Sequence, residues 1–203
     1  MPKIVDAAER RQHIADAVLR LVAARGVSAA SLRNVAAEAG LNVGSVRHYF
    51  TDHGELLAVA ATVMAERVEA RAAEHFARLT PGTPWDAALE LLLDAICELL
   101  PLDEQRRAEC LIFLAFAEHS RLVPEGGDLS EQLFRGPREL AKAAYENVGL
   151  PPQVRTAAEE ALAAVIDGLT LYGVHRPDPQ PPEFYRDVLR WQIRTTVRTG
   201  RQA

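Results

Sequence analysis

SLRNVAAEAGLNVGSVRHYF, residues 31–50, is the stretch that decides the fold. Leu32, Val35, Ala36 and Ala39 recur three and four residues apart, which places them on one helical face. Ser31 stands just before that face, and its side chain can accept a hydrogen bond from a free backbone N–H of the first turn. Gly40 ends the helix, because glycine takes up the positive φ that reverses the chain at little cost. Leu41 fills the space between two helices, and Asn42 caps the second, expected over about residues 43–49. Val46 and Phe50 are kept for the core, leaving Val43, Gly44, Ser45, Arg47, His48 and Tyr49 to point elsewhere. Two helices joined by a short turn containing glycine form the helix-turn-helix pattern. Its second helix lies in the major groove of DNA and reads bases from its first residues. The same spacing occurs in all-helical cores that touch no DNA, so on spacing alone both readings stand.

Charge separates them. Residues 1–50 hold seven Lys/Arg against four Asp/Glu, a net of +3, while the other 153 residues carry a net of −8. A basic end on an acidic chain is the footprint of a nucleic-acid module. With an overall net charge of −5, DNA binding has to be local and oriented. Apolar residues make up 48% of the 203, ample for a sizeable core. The start, MPKIVDAAERR, lacks the apolar run of a signal peptide, and the most apolar stretch, residues 87–102, is broken by Glu90, Asp94 and Glu98. A cytoplasmic protein that does not enter membranes is expected. Cys97 and Cys110 lie in apolar helical patterns and read as buried reduced thiols, with a redox pair as the alternative.

Residues 10–57 resemble the DNA-binding domain of the TetR family of transcriptional regulators. The likeness is carried by Ile14, Ala15, Ala17, Leu21, Gly26, Ser31, Leu32, Val35, Ala36, Ala39, Gly40, Gly44, Tyr49, Phe50, Glu55 and Leu56. Two later segments, LLPLDEQRRAECLIFLAFAEHS and IDGLTLYGVHRP, resemble the subgroup that includes the betaine-pathway repressor. The resemblance implies an all-α protein: a three-helix DNA-binding domain over residues 1–51 and a helical ligand-binding and dimerisation domain over 52–203.

The pattern of the chain agrees with about nine helices. Asp6 to Glu9 fits a capping box, so the first helix starts near Ala7, buries Ile14, Val18, Leu21 and Val22, and closes at Gly26. Lys3, Arg10 and Arg11 on the arm before it are candidates for phosphate or minor-groove contact, against the alternative of a solvated terminus. Asp52 and Glu55 cap a long helix running to about residue 79. Further helices are expected over 85–100, 103–119, 128–147 with a break at Gly136-Pro137, 154–172 and 182–199.

Arg33 can pair bidentately with guanine O6 and N7, and the arginine at this position in the family often touches a base. Ser45 can bond a base or phosphate, and Val43 can touch a thymine methyl. Gly44 allows close approach of the helix backbone. Arg47 stands where the family commonly has tyrosine, so base and phosphate contact are both open for it. His48 and Tyr49 should face the DNA backbone, and the Ser31 hydroxyl with its helix start can meet a phosphate. Where the family usually has a phosphate-contacting lysine, this chain has His53, which is charged over only part of the physiological pH range.

One such module buries too little surface to select a genomic site, so a symmetric dimer on a near-palindromic operator is expected, its recognition helices roughly 34–36 Å apart. The last two helices, about 154–172 and 182–199, are the dimer candidates, with small faces at Ala157, Ala158, Ala161, Ala163, Ala164 and Gly168. Apolar area there comes from Val154, Leu162, Val165, Ile166, Leu169, Val188, Leu189, Trp191 and Ile193, which one subunit could equally bury by itself. Apolar walls with a few polar groups describe both a ligand pocket and an ordinary core. Trp85, Cys97, Cys110, Phe113, Phe116, His119, Phe134, Tyr145, Tyr172 and His175 are the candidates, for an effector of neutral or cationic apolar character. The family resemblance implies that this effector tilts the long helix beginning near Asp52 and releases DNA.

Enzymatic motifs are missing: no Glu-x-x-His pair, His-Glu-x-x-His, Cys-x-x-Cys, Gly-x-Ser-x-Gly, Gly-x-Gly-x-x-Gly or P-loop occurs. No cofactor and no metal site are expected. The competing reading is a helical small-molecule-binding or adaptor protein of the same fold without DNA binding.

Overall fold

The computed structural model describes residues 7–120, 127–146 and 150–200. Lys3 with its arm, Asp6 of the first capping box, residues 125–126, Gly149 and the side chain of Phe134 lie outside the described residues. Nine helices and no strand are present among the described residues. They are α1 (Ala7–Arg25), α2 (Leu32–Glu38), α3 (Val43–Arg47), α4 (His53–Phe76), α5 (Trp85–Cys97), α6 (Glu104–Ser120), α7 (Gly127–Glu146), α8 (Pro152–His175) and α9 (Pro182–Gly200), with a 3-10 turn at Val27–Ala29. The all-α fold expected from the sequence is the fold observed.

One expectation fails. α7 runs through Gly136-Pro137 without interruption. A proline in a helix forfeits one backbone hydrogen bond and crowds the residue before it. Here that residue has no Cβ to be crowded, and Pro137 is itself buried. Leu140, Ala141, Ala144 and Tyr145 then bury one turn after another, which offsets the lost bond.

The described helices form two compact units that do not follow chain order: residues 1–66 with 103–131, and residues 67–102 with 132–203. In the first, Ile14, Val18, Leu21, Val35, Val46, Phe50, Leu56 and Leu57 are no more than 4% exposed. Burying each such side chain stabilises by about 1.5–3 kcal/mol, so α1 braces α2 and α3 from behind. α6 packs along α1 in the same unit. On α6, Glu109 is buried and accepts a hydrogen bond from the Gln105 side chain at 3.1 Å. Burial pushes the neighbouring Cys110 thiol up to about 12, and the Glu109 charge adds to the shift. Such a thiol stays protonated at neutral pH and is a poor nucleophile.

The second unit is centred on α5, α8 and α9. Leu89, Leu93, Ile96, Leu162, Ile166, Leu169, Leu189 and Ile193 share its core. Leu162, Ile166, Leu169, Leu189 and Ile193 are therefore spent within the subunit, leaving Ala157, Ala161, Ala164, Gly168, Leu171 and Trp191 on the outside. Ala158 and Ala163 are buried. A ladder of ion pairs ties α9 to α5: Arg194 reaches Asp86 at 2.7 Å, Arg190 reaches Glu90 at 3.0 Å, and Arg186 reaches Glu90 at 2.8 Å and also bonds Asp94. The spacing of four along both helices brings each rung to one face.

Hydrogen bonding from Arg190 holds the Glu90 carboxyl below its usual range, against an opposing push from burial. A depressed folded value means stabilisation present above the unfolded carboxylate pKa and lost as pH falls through the folded one. Glu90 is nearly half exposed, so solvent screens the pair. Glu90→Gln should lower stability at pH 7 by about 0.5–1 kcal/mol, with the difference shrinking as pH falls below the ordinary carboxylate range, as read from urea unfolding at neutral and at acid pH.

Candidate nucleic-acid interface

The geometry of α2 and α3 is built by two caps and one glycine. The Ser31 hydroxyl accepts from the Asn34 N–H at 3.3 Å, and Asn42 Oδ1 accepts from the Ser45 N–H at 2.7 Å. Between them Gly40 sits at φ 64°, and the Leu41 N–H donates to the Ala36 carbonyl at 2.8 Å. That left-handed step fixes the direction in which α3 leaves. The Asn34 side chain donates to the Ala29 carbonyl at 2.9 Å and so anchors α2 to the turn after α1.

Of α3 only Val46 is buried. Gly44, Arg47 and His48 are exposed, Val43, Ser45 and Tyr49 are half-buried, and Ser31, Arg33 and Asn42 are exposed. His48 and Tyr49 meet edge to face, 5.1 Å between ring centroids. Arg33 and Arg47 make no ion pair among the described residues, whereas Arg20 is tied to Glu38 at 2.7 Å. Two guanidinium groups are thus left unneutralised, one in the first turn of α2 and one in the last turn of α3. At Gly44 an added Cβ would lie 3.2 Å from Asn42 Oδ1, so a side chain there presses on the cap as well as on anything docked.

The start of α4 is held by the expected acid pair. Asp52 accepts from the Glu55 N–H at 3.0 Å, and the Glu55 carboxylate reaches back to the Thr51 N–H at 2.6 Å. His53 is exposed, with Nδ1 2.9 Å from the Ala30 carbonyl. A carbonyl only accepts, so Nδ1 carries the hydrogen. The neutral ring then turns a lone pair outward at Nε2, and only the imidazolium offers a second N–H.

Residues 88–198 match the profile of the BetI-type transcriptional repressor C-terminal domain, and residues 14–66 that of bacterial regulatory proteins of the tetR family. The chain belongs to the TetR family. It is 35% identical over 179 residues to the HTH-type transcriptional regulator PksA of Bacillus subtilis (strain 168), covering 87% of this chain and 84% of PksA. Among solved structures, a transcriptional regulator from Rhodococcus sp. Rha1 matches with a TM-score of 0.77 and 28% identity, over 93% of this chain and 96% of that one. The multidrug binding protein EbrR complexed with ethidium matches with a TM-score of 0.60 and 27% identity, over 90% of this chain and 98% of that one. This TetR-family chain is therefore a DNA-binding transcriptional regulator and not an enzyme. Among its described residues no helix is long and apolar enough to cross a membrane.

The candidate effector residues of this regulator are divided between the two units. Cys110, Phe113, Phe116 and His119 belong to the first, and Trp85, Tyr145 and Tyr172 to the second. Cys110 and Phe116 are buried, and Phe113 and His119 half-buried. Tyr145 is fully buried, and its hydroxyl makes no hydrogen bond of good geometry among the described residues, with the Thr196 side chain as its polar neighbour. Tyr172 is half-exposed, stacked on Phe184 at 5.8 Å, with the Arg176 guanidinium over its ring at 4.9 Å. Trp85 opens α5 and is 38% exposed.

His119 has a contact that periodicity does not reveal. A Cβ added at Gly54, in the first turn of α4, would lie 2.2 Å from His119 Nε2. α6 thus presses on the start of α4 through one imidazole, and Gly54 makes the room. The sequence held a sign of this: a buried glycine in the first turn of a helix, where no positive φ is needed, marks a close approach.

Asn42→Ala should destabilise the protein by about 1 kcal/mol through loss of the cap, and Asn42→Asp should restore most of that, both measured by urea unfolding.

Proposed function

We propose that the protein is a ligand-responsive repressor that binds a near-palindromic operator as a homodimer and lets go when a small apolar effector binds. In this reading residues 1–51 engage DNA, while residues 52–203 receive the effector and pair the subunits, in the cytoplasm. What carries it is the unneutralised, exposed pair Arg33, in the first turn of α2, and Arg47, in the last turn of α3, within the one basic segment of an acidic chain. Arg33 reads a guanine edge; Val43, Gly44 and Ser45 meet the groove; Arg47 meets base or phosphate. Ser31, His48, Tyr49 and His53 meet phosphates, with Asn42 holding the helix start in place.

Two subunits pair through α8 and α9. The outward Ala157, Ala161, Ala164, Gly168, Leu171 and Trp191 support this, because they are apolar or small and stand exposed among the described residues. The effector is taken up by residues among Trp85, Cys110, Phe113, Phe116, His119, Tyr145 and Tyr172. The buried Tyr145 hydroxyl, without a hydrogen bond of good geometry among the described residues, offers one polar contact. Ethidium, the ligand in the EbrR complex, is an aromatic cation of the apolar kind this reading calls for. Effector binding shifts α4, and the fit of His119 against Gly54 supports α6 as the part that moves it.

Genomic fragments selected by the purified protein should share an inverted repeat, protected on both halves in a footprint. Arg33→Ala should weaken operator binding by about 1–3 kcal/mol and relax the preference at one base position per half-site. Affinity should fall steeply with salt, as phosphate contacts demand. Selection of no common sequence, together with salt-insensitive binding, would end this reading. An effector is identified by release of the footprint, with ethidium as the first compound tried.

A further inference from the structure

Trp191 is 67% exposed, more than any other large apolar side chain described. It stands on the outer face of α9 with Asp187, Arg194 and Arg198, beside an open recess of about 540 Å³. An indole left in water in this way forgoes much of the stabilisation that burial would give it. On α8 the outer face is the reverse in shape: Ala157, Ala161, Ala164 and Gly168 leave a shallow groove.

Gly168 gives the groove its meaning. A Cβ placed there meets nothing within 4 Å, whereas at Gly173 it would lie 2.5 Å from Pro101 and Tyr185, and at Gly200 2.8 Å from Leu150. Gly173 and Gly200 are required by packing inside the subunit, and Gly168 is not. An exposed glycine in mid-helix destabilises the helix relative to alanine. The subunit alone gains nothing in return for Gly168; close approach by something outside it does.

The two features lie at the same height. Gly173 of α8 abuts Tyr185 of α9, and Gly200 of α9 abuts Val154 of α8, so the helices run antiparallel and Trp191 falls about level with Val165. Trp191 is thus opposite the middle of the small-residue groove. Glu160 on α8 is paired with Arg138 at 3.5 Å and Arg194 beside the indole with Asp86, so Arg198 is the cation left over next to Trp191. Arg198 has no ion-pair partner among the described residues. One chain therefore displays a bulky knob with a free guanidinium, that of Arg198, beside it and, at the same height, a face of small residues. A self-complementary patch of this kind is what a two-fold interface between identical chains requires.

We infer that Trp191 is the knob that locks two copies together, its indole seated on the Ala161, Ala164 and Gly168 groove of a second copy. This rests on the proposed pairing through α8 and α9 and assigns its central contact. Buried tryptophans at interface centres are typical hot spots.

The test uses the full chain with Trp85→Phe, so that Trp191 is the only indole. At micromolar concentration sedimentation should give a dimer, with Trp191 emission blue-shifted and shielded from acrylamide. Dilution should red-shift the emission in step with dissociation. Trp191→Ala, made in the natural chain, and Gly168→Leu should each weaken the dimer about 30-fold or more. Helicity by circular dichroism should be unchanged, because neither position packs inside the subunit. A dimer that keeps Trp191 quenchable, or whose dissociation constant neither variant moves, overturns this inference and leaves the pairing standing. A monomer at micromolar concentration overturns both.

Discussion

The left-handed step at Gly40, followed at once by the Asn42 cap, is the constraint on which the DNA-facing half depends. With φ at 64° the chain turns back, the Leu41 N–H closes on Ala36, and Asn42 Oδ1 secures the first turn of α3. α3 is only five residues long, too short to be a stable helix by itself. Its direction comes from those three interactions, from its packing on α2 and from Val46 and Phe50, both buried. The exposed side chains of α3 can thus be chosen for what they meet outside the protein, since none is needed to hold the helix.

The second unit solves a different problem with the same residue type. Arg186, Arg190 and Arg194 of α9 are used up in pairs with the acids of α5, three helical turns in succession. Arginine on α2 and α3 is left unpaired. The segregation of charge seen in the composition is therefore also a segregation of use. Arg186, Arg190 and Arg194 are consumed locally, whereas Arg33 and Arg47 stay available.

Much of this was legible in the sequence. The caps at Ser31, Asn42 and Asp52, the stop at Gly40 and the run of nine helices follow from local chemistry, where a residue acts on its immediate neighbours. The reading failed at Gly136-Pro137, where burial of later turns outweighed a local breaker. It did not anticipate the contact of His119 with Gly54, because helical periodicity reports which face is buried and not against what. The grouping of the effector candidates was illegible for a related reason: Phe116 and Tyr145 are both buried aromatic residues, yet they belong to different units.

The starts of α2, α3 and α4 differ in the charge of their caps. α2 and α3 begin under neutral oxygens, of Ser31 and Asn42, whereas α4 begins under the carboxylates of Asp52 and Glu55. A neutral cap bonds one N–H and leaves the partial positive charge of the helix end uncancelled, while a carboxylate extinguishes it. A polyanion drawn to this surface would feel two helices pulling and a third that is silent. Its pitch across the protein would then be set by electrostatic contrast before any side chain had touched it.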